Sequence, residues 1–202
     1  MRVRVLALAL LLVAPARAGA AEWQVKPWIG VTFGGGTTLL GDLDLAAGER
    51  KVAVGVSGEF IGEIVGVEVD VGHTPGFFNA DNRRFGSQDP LVLTSGVTTV
   101  TGNLVVALPR RWTEYTLRPY VVGGAGLMRA RSTDRLDALP IRTDLAAVDV
   151  GGGVTGFLTK RIGLNWDVRY FRSVGGRTDT AVAIGAERLS FWRATMAVAI
   201  RY

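Results

Sequence analysis

His73 is the only histidine of the 202-residue chain, and the chain contains no cysteine. A Ser-His-acid hydrolase would therefore have to use His73 as its base, while thiol nucleophiles and zinc sites built on thiolates are excluded. Ser57, Glu59 and Asp70 could supply the other two groups, but their spacing does not force any of them beside His73. This pattern favours an interfacial histidine over a catalytic base, and we predict no catalytic residue.

Three glycines, Gly151, Gly153 and Gly156, match the spacing G-x-G-x-x-G that cradles phosphates where a strand turns into a helix. No helical pattern follows them, and the downstream residues alternate as a strand does. The glycines are therefore expected to relieve crowding within a strand, and no cofactor is predicted.

Two pairs of acidic residues, Asp42 with Asp44 and Asp81 with Asp89, could in principle ligate calcium. They lack the graded spacing of oxygen ligands that a dedicated calcium loop has. We expect solvated loop charges here and predict no metal site.

Alternation of apolar and polar residues at period two recurs along the chain and predicts strands. The eight candidate strands lie near 25–34, 51–60, 64–73, 97–108, 118–131, 144–158, 162–172 and 189–202. The last one places Trp192, Met196, Val198, Ile200 and Tyr202 on one face, with Arg193 and Arg201 on the other.

A charged face on an otherwise apolar strand needs an interior that tolerates charge. A transmembrane barrel offers one, because its apolar residues face lipid and its polar residues face the lumen. The residues assigned to a polar lumen are Glu59, Glu68, Asp70, Thr99, Thr101, Asn103, Arg129, Arg131, Asp149, Asp167, Arg169, Arg193 and Arg201. Both signs of charge are present, and eight strands enclose only enough room for side chains, so we expect a plugged lumen of paired charges. Tyr120, Tyr170, Trp192 and Tyr202 are expected to form outward aromatic girdles.

The links between the candidate strands alternate in length. Long polar links cover 35–50, 74–96, 132–143 and 173–188, while short links cover 61–63, 109–117 and 159–161. Long loops outside, short turns in the periplasm and an even strand number are typical of outer-membrane barrels. The predicted fold is all-β, an eight-stranded antiparallel up-and-down transmembrane β-barrel.

The first twenty residues have the features of a secretory signal peptide: Arg2 and Arg4, an apolar run over 5–14, then small residues. We expect cleavage after Ala18 or Ala20, which leaves residues 21–202 as one barrel domain. Cleavage removes three arginines and no acid, so the mature chain keeps 20 basic and 18 acidic residues. Such a nearly neutral chain argues against a nucleic-acid partner.

Three stretches of this chain form a recognisable set: 66–78 (GVEVDVGHTPGFF), Arg118-Pro119-Tyr120 before a glycine-rich strand, and 151–153 followed by 167–171 (DVRYF). They resemble a broad group of small bacterial outer-membrane barrels, the OmpA/OmpX-like domains of eight strands. The alternating ending that closes on Tyr202 resembles the signal by which the barrel-assembly machinery recognises its clients. The resemblance implies an outer-membrane location, with membrane lipid and that machinery as partners.

The sequence is compatible with three functions. The preferred one is a structural or interaction barrel that presents four surface loops for envelope integrity or adhesion. The alternatives are a small porin-like channel for ions or small solutes, and a lipid A-modifying enzyme that would use His73. A soluble lipocalin-like carrier would share the strand pattern with its faces reversed, but the loop rhythm and the aromatic ending favour the membrane.

Overall fold

The computed structural model describes residues 21–37, 49–78, 92–113, 117–134, 141–174 and 188–202. Within these ranges the chain forms eight strands and one short helix. They are β1 (Glu22–Thr37), β2 (Lys51–Ile61), β3 (Val65–Pro75), β4 (Val92–Ala107), α1 (Arg110–Thr113), β5 (Leu117–Asp134), β6 (Ile141–Phe157), β7 (Ile162–Ser173) and β8 (Leu189–Arg201).

The eight strands pair in sequence order, each antiparallel to the next, and β8 pairs with β1 to close the barrel. The predicted fold class is therefore confirmed. Several strands run further than expected. β4 begins in the predicted second long link, at Val92, and β1 is longer at both ends. β5 and β6 extend into the predicted third long link and leave only residues 135–140 between them.

Period-two alternation decides which side chains point inward. Along β3, Val67, Val69 and Val71 are exposed on the outer wall, whereas Glu68 and Asp70 are buried inside. Valine suits this arrangement, because its β-branched side chain fits a pleated strand and presents an apolar surface to lipid.

The two ends of the barrel differ in their connections. Residues 62–64, 108–116 and 158–161 link strands at the end where β1 begins and β8 ends, which makes this the periplasmic end. At the other end the links contain residues 38–48, 79–91, 135–140 and 175–187, all outside the described residues. The predicted signal peptide also lies outside them. No helix in the described ranges is long and apolar enough to cross a membrane.

The lumen is filled in layers. A large apolar cluster that includes Phe77, Met128 and Phe191 packs across the outer end. A smaller one around Ile61, Val105 and Val122 lies toward the periplasmic end. Buried charged and polar side chains occupy the space between them. The layers place the charges where both protein walls and apolar plugs separate them from bulk water.

Candidate functional site

Glu68 lies at the centre of the buried charge network. Its Oε2 is 2.9 Å from Lys26 Nζ, and its Oε1 accepts hydrogen bonds from Arg169 Nη1 at 2.6 Å and from Asn103 Nδ2 at 3.1 Å. Lys26 Nζ also lies 2.5 Å from Glu59 Oε2. Side chains from four strands, that of Glu68 included, thus meet at one carboxylate. Each charge in this group has a partner of opposite sign, as buried charges require.

Arg169 ties this group to Asp167 on its own strand. Its Nε donates to Asp167 Oδ1 at 2.7 Å and its Nη2 to Oδ2 at 3.0 Å. The Tyr120 hydroxyl donates to Asp167 Oδ2 at 2.6 Å, and Asn165 Nδ2 donates to Tyr120 Oη at 3.0 Å. The network therefore reaches β5 through a tyrosine as well as through charges.

A second group of the network centres on Asp70. Arg193 Nη2 donates to Asp70 Oδ2 at 2.7 Å, while Ser57 Oγ and Trp28 Nε1 donate to Oδ1 at 2.7 and 3.1 Å. The guanidinium of Arg193 lies 4.3 Å from the centre of the Trp28 ring and 4.6 Å from that of Phe171. Cation-π contact on two rings anchors this arginine between the charge layer and the outer aromatic layer.

Four phenylalanines form the outer layer, which we call the aromatic plug: Phe77, Phe78, Phe171 and Phe191. The Phe77 ring contacts Phe78 and Phe191 edge to face at 5.0 and 5.2 Å, and Phe171 stacks on Phe191 at 5.2 Å. Phe77 and Phe78 come from the turn after β3, where Gly76 takes a positive φ of 64° and turns the chain inward. The plug closes the described part of the outer mouth with apolar rings.

Two arginines secure the periplasmic end. Arg118 donates to the backbone carbonyls of Gly62, Glu63 and Leu108, which lie in or beside two different turns. Arg201 donates to the Lys160 carbonyl, and its Nη1 lies 3.1 Å from Glu22 Oε2. These contacts fix the turns to the barrel wall.

Glycines on the inner wall make room for the large inward side chains. A Cβ at Gly153 would lie 2.6 Å from Tyr120 Oη, and one at Gly72 would lie 2.9 Å from Trp28 Cη2. A Cβ at Gly151 would meet Arg169 Cγ at 2.8 Å. The G-x-G-x-x-G spacing therefore belongs to a strand, as expected, and its glycines serve packing.

Ten of the residues assigned to the lumen are buried inside the barrel: Glu59, Glu68, Asp70, Thr99, Thr101, Asn103, Asp149, Asp167, Arg169 and Arg193. Arg201 lies at the periplasmic rim with its side chain 26% exposed.

Arg129 and Arg131 differ from the expectation, because both point outward. Even-numbered residues of β5, such as Met128 and Ala130, face the lumen, so their odd-numbered neighbours face away from it. Arg129 forms a bidentate ion pair with Asp144 of β6, and its hydrogen bonds hold the pKa of that carboxyl below the usual range. Since about 9–11 residues suffice to cross the bilayer, this pair lies on the part of β5 and β6 that extends past it.

Tyr120 is a second departure from the sequence prediction. It was expected in an outward girdle, but it is buried in the lumen and donates to Asp167. Lys26 and Trp28 are further lumen residues that the sequence analysis did not assign. The alternation of Glu22, Gln24, Lys26 and Trp28 in β1 is the signal that could have placed them inside.

The outer wall carries the residues of the expected assembly signal. Trp192, Met196 and Val198 are exposed on it, Ile200 is half-buried, and Tyr202 is exposed after the end of β8. Trp192 contacts Tyr170 at 5.1 Å between ring centres. The backbone N–H of Tyr202 donates to the Trp23 carbonyl at 3.0 Å, so the last residue takes part in closing the barrel.

The candidate catalytic groups are not brought together. His73 points outward, where its Nδ1 lies 2.9 Å from Thr98 Oγ1, whereas Ser57, Glu59 and Asp70 point into the lumen. The acidic pairs Asp42/Asp44 and Asp81/Asp89 lie outside the described residues. Within the described ranges, no three His, Cys, Asp or Glu side chains cluster in a way that could hold a metal ion.

A closed antiparallel barrel with an apolar outer wall and a packed polar lumen defines a small outer-membrane barrel protein. The chain belongs to the outer membrane protein beta-barrel domain family, whose model matches residues 6–188. It lies in the outer membrane.

Several solved structures share this fold at low sequence identity. Neisserial surface protein A (NspA) superposes with a TM-score of 0.62 at 12% identity, covering 90% of this chain and 99% of that one. The N-terminal barrel domain of Pseudomonas aeruginosa OprF gives 0.52 at 13%, covering 90% and 97%. The Escherichia coli outer membrane protein W gives 0.50 at 16%, covering 92% and 100%. No curated protein sequence matches the chain.

Proposed function

We propose that this protein is a structural or interaction barrel: a plugged scaffold that holds four connecting segments at the cell surface for envelope integrity or adhesion. The observation that carries the proposal is the packing of buried side chains in the lumen. The aromatic plug packs across the outer end, and the charge network below it binds side chains of several strands to one another.

The same observation argues against an open pore. Solute passage through an eight-stranded barrel needs a water-filled path, and the interior of a barrel this size is wide enough only for side chains. Here Lys26, Arg169 and Arg193 are each 2–3% exposed and form ion pairs with buried carboxylates. Moving them aside would leave unpaired charges in a medium of low dielectric constant, which is costly.

A lipid-modifying activity is disfavoured by the orientation of the candidate groups. His73 and the carboxylates that could orient it lie on opposite faces of the barrel wall. The proposal is therefore that the protein is not an enzyme. We also propose that the barrel-assembly machinery recognises the C-terminal residues of this chain. The proposal rests on the alternation of outward apolar residues in β8 and on the exposed Tyr202.

Planar-bilayer recording tests the plugged lumen. The wild-type protein, with insertion verified by a heat-dependent gel shift of the recovered protein, is expected to give no steady current. Stepwise conductance that changes when Glu68→Gln or Arg169→Gln alters the lumen charge would replace the proposal with a channel. Arg129→Gln is the matched control, because it removes the same kind of charge from the outer wall.

The scaffold role has its own test in cells. A strain that lacks the protein is expected to become more sensitive to detergents or to lose adhesion, and the wild-type protein should restore the lost property. His73→Ala should restore it equally well. If mass spectrometry shows that lipid A differs between strains carrying the wild type and His73→Ala, the result would instead support a lipid-modifying enzyme.

A further inference from the structure

One buried carboxylate of the lumen lacks the pairing that the others have. Asp149 is 4% exposed, and neither of its carboxylate oxygens takes part in a hydrogen bond. Its Oδ2 lies 3.9 Å from Arg169 Nη1, which is too long for a hydrogen bond. That guanidinium already donates to Glu68 and Asp167. Asp149 is thus weakly compensated in the interior of the barrel.

The buried charges between the two apolar clusters, which we call the middle layer, include more carboxylates than cations. Its buried cations are Lys26, Arg169 and Arg193, while its buried carboxylates are Glu59, Glu68, Asp70, Asp149 and Asp167. Every carboxylate except Asp149 lies within 3 Å of a cationic nitrogen. Buried charges are stable when they are paired or bind a metal ion, so this layer lacks positive charge next to Asp149.

The strand register places two further residues with unbonded oxygens, Asn103 and Thr101, on the same inner wall as Asp149. Asn103, Gly124 and Asp149 are paired in one row across β4, β5 and β6, and Thr101 pairs with Gly126 in β4 and β5. Asn103 Oδ1 and Thr101 Oγ1 are buried and, like the Asp149 oxygens, form no hydrogen bond. Asn103 donates its Nδ2 to Glu68, which orients its carbonyl oxygen away from that carboxylate.

Gly124 and Gly126 place no side chain of their own between these groups. A Cβ at Gly124 would collide with Asn103 Oδ1, so this oxygen lies directly over the glycine backbone. We call Thr101, Asn103 and Asp149, together with the backbone of Gly124 and Gly126, the oxygen patch. It offers four oxygen atoms that form no hydrogen bond: Thr101 Oγ1, Asn103 Oδ1 and the two carboxylate oxygens of Asp149.

We propose that the oxygen patch binds one alkali-metal cation, Na⁺ or K⁺. Hard cations prefer carboxylate, carbonyl and hydroxyl oxygens, which are the groups present. One carboxylate matches a single positive charge, whereas calcium sites use several carboxylates. The bound cation supplies the positive charge that Asp149 lacks and satisfies the oxygens of Asn103 and Thr101.

Thermal unfolding of the full chain, refolded in nonionic detergent, tests the site. Na⁺ or K⁺ replaces N-methylglucammonium at constant chloride and ionic strength, and the midpoint is followed by the gel shift on heating. A ligand that binds only the folded state raises the midpoint with its concentration. The wild-type midpoint is expected to rise and then level off with one of the two ions, and the ion with the lower half-saturating concentration is the preferred occupant.

Two variants and one control separate this site from general salt effects. Asp149→Asn is expected to abolish the cation dependence. Thr101→Val keeps all charges but removes one ligand oxygen, and it should raise the half-saturating concentration several-fold. Asp144→Asn removes a carboxylate from the same strand on the outer wall, so its response should equal that of the wild type.

Three results would overturn the proposal. Equal cation dependence in wild type and Asp149→Asn would indicate screening of surface charge. A wild-type midpoint that ignores both ions would mean that water or a proton on the carboxyl satisfies Asp149. If Asp149→Asn does not refold, an unchanged half-saturating concentration in Thr101→Val would overturn the site by itself.

Discussion

Replacing Lys26 with methionine is expected to destabilise the barrel from within. The ammonium lies 2.5 Å from Glu59 and 2.9 Å from Glu68, and its side chain is 2% exposed. Removing one partner of a buried ion pair leaves an uncompensated charge and costs about 3–5 kcal/mol. Glu68 keeps Arg169 and Asn103, whereas Glu59 loses its ion-pair partner, so we expect a cost near the lower end, about 3 kcal/mol.

Equilibrium unfolding in urea, on protein refolded into lipid vesicles and followed by tryptophan fluorescence, measures this cost when the slopes agree between variants. Lys51→Met is the control, since Lys51 pairs with Glu49 at 2.8 Å in a partly exposed position where such pairs contribute about 0–1 kcal/mol. The double variant Lys26→Met/Glu59→Gln should recover about 1 kcal/mol or more of the loss, because the unpaired carboxylate is gone. The reasoning is refuted if Lys26→Met costs no more than Lys51→Met.

Two further predictions use the same urea assay. Val69→Arg, near the middle of the outer wall of β3, should cost about 2–4 kcal/mol, while Val65→Arg at its periplasmic end should cost about 0–1 kcal/mol; equal costs would contradict the placement of β3 in the bilayer. Gly153→Ala sets a methyl group 2.6 Å from the Tyr120 hydroxyl and should cost about 1–3 kcal/mol by overpacking. Gly102→Ala, which has no heavy atom within 4 Å of its new Cβ, should be close to neutral, and an equal loss in both variants would show that the inner wall is not crowded.

The strands and their facing could be predicted because alternation at period two is visible wherever lipid lies on one side and charge on the other. Glu68 and Asp70 between exposed valines of β3 are an example. The same rule fails where a strand leaves the bilayer. Arg129 and Arg131 lie on an outer wall that faces water, so polarity there no longer marks the lumen side.

Other parts of the site have no signal in the alternation. Phe77 and Phe78 enter the lumen from a turn, where side-chain facing has no period and depends on the positive φ of Gly76. The pairing of particular charges also depends on register between strands that are distant in sequence, such as Glu68 with Arg169, 101 residues apart. The composition predicts that opposite charges meet inside the barrel, but not which ones.

Closure between β1 and β8 imposes an order on folding. Gln24 is paired with Arg201, and Arg201 bonds Glu22 across 179 residues of chain. Contacts of such separation form slowly, because the entropy of closing a long loop must be overcome first. Until they form, both edges carry unpaired N–H and C=O groups that hydrocarbon cannot solvate. A barrel left open between β1 and β8 is therefore expected to be unstable in the bilayer, so that pairing of β8 with β1 should accompany insertion.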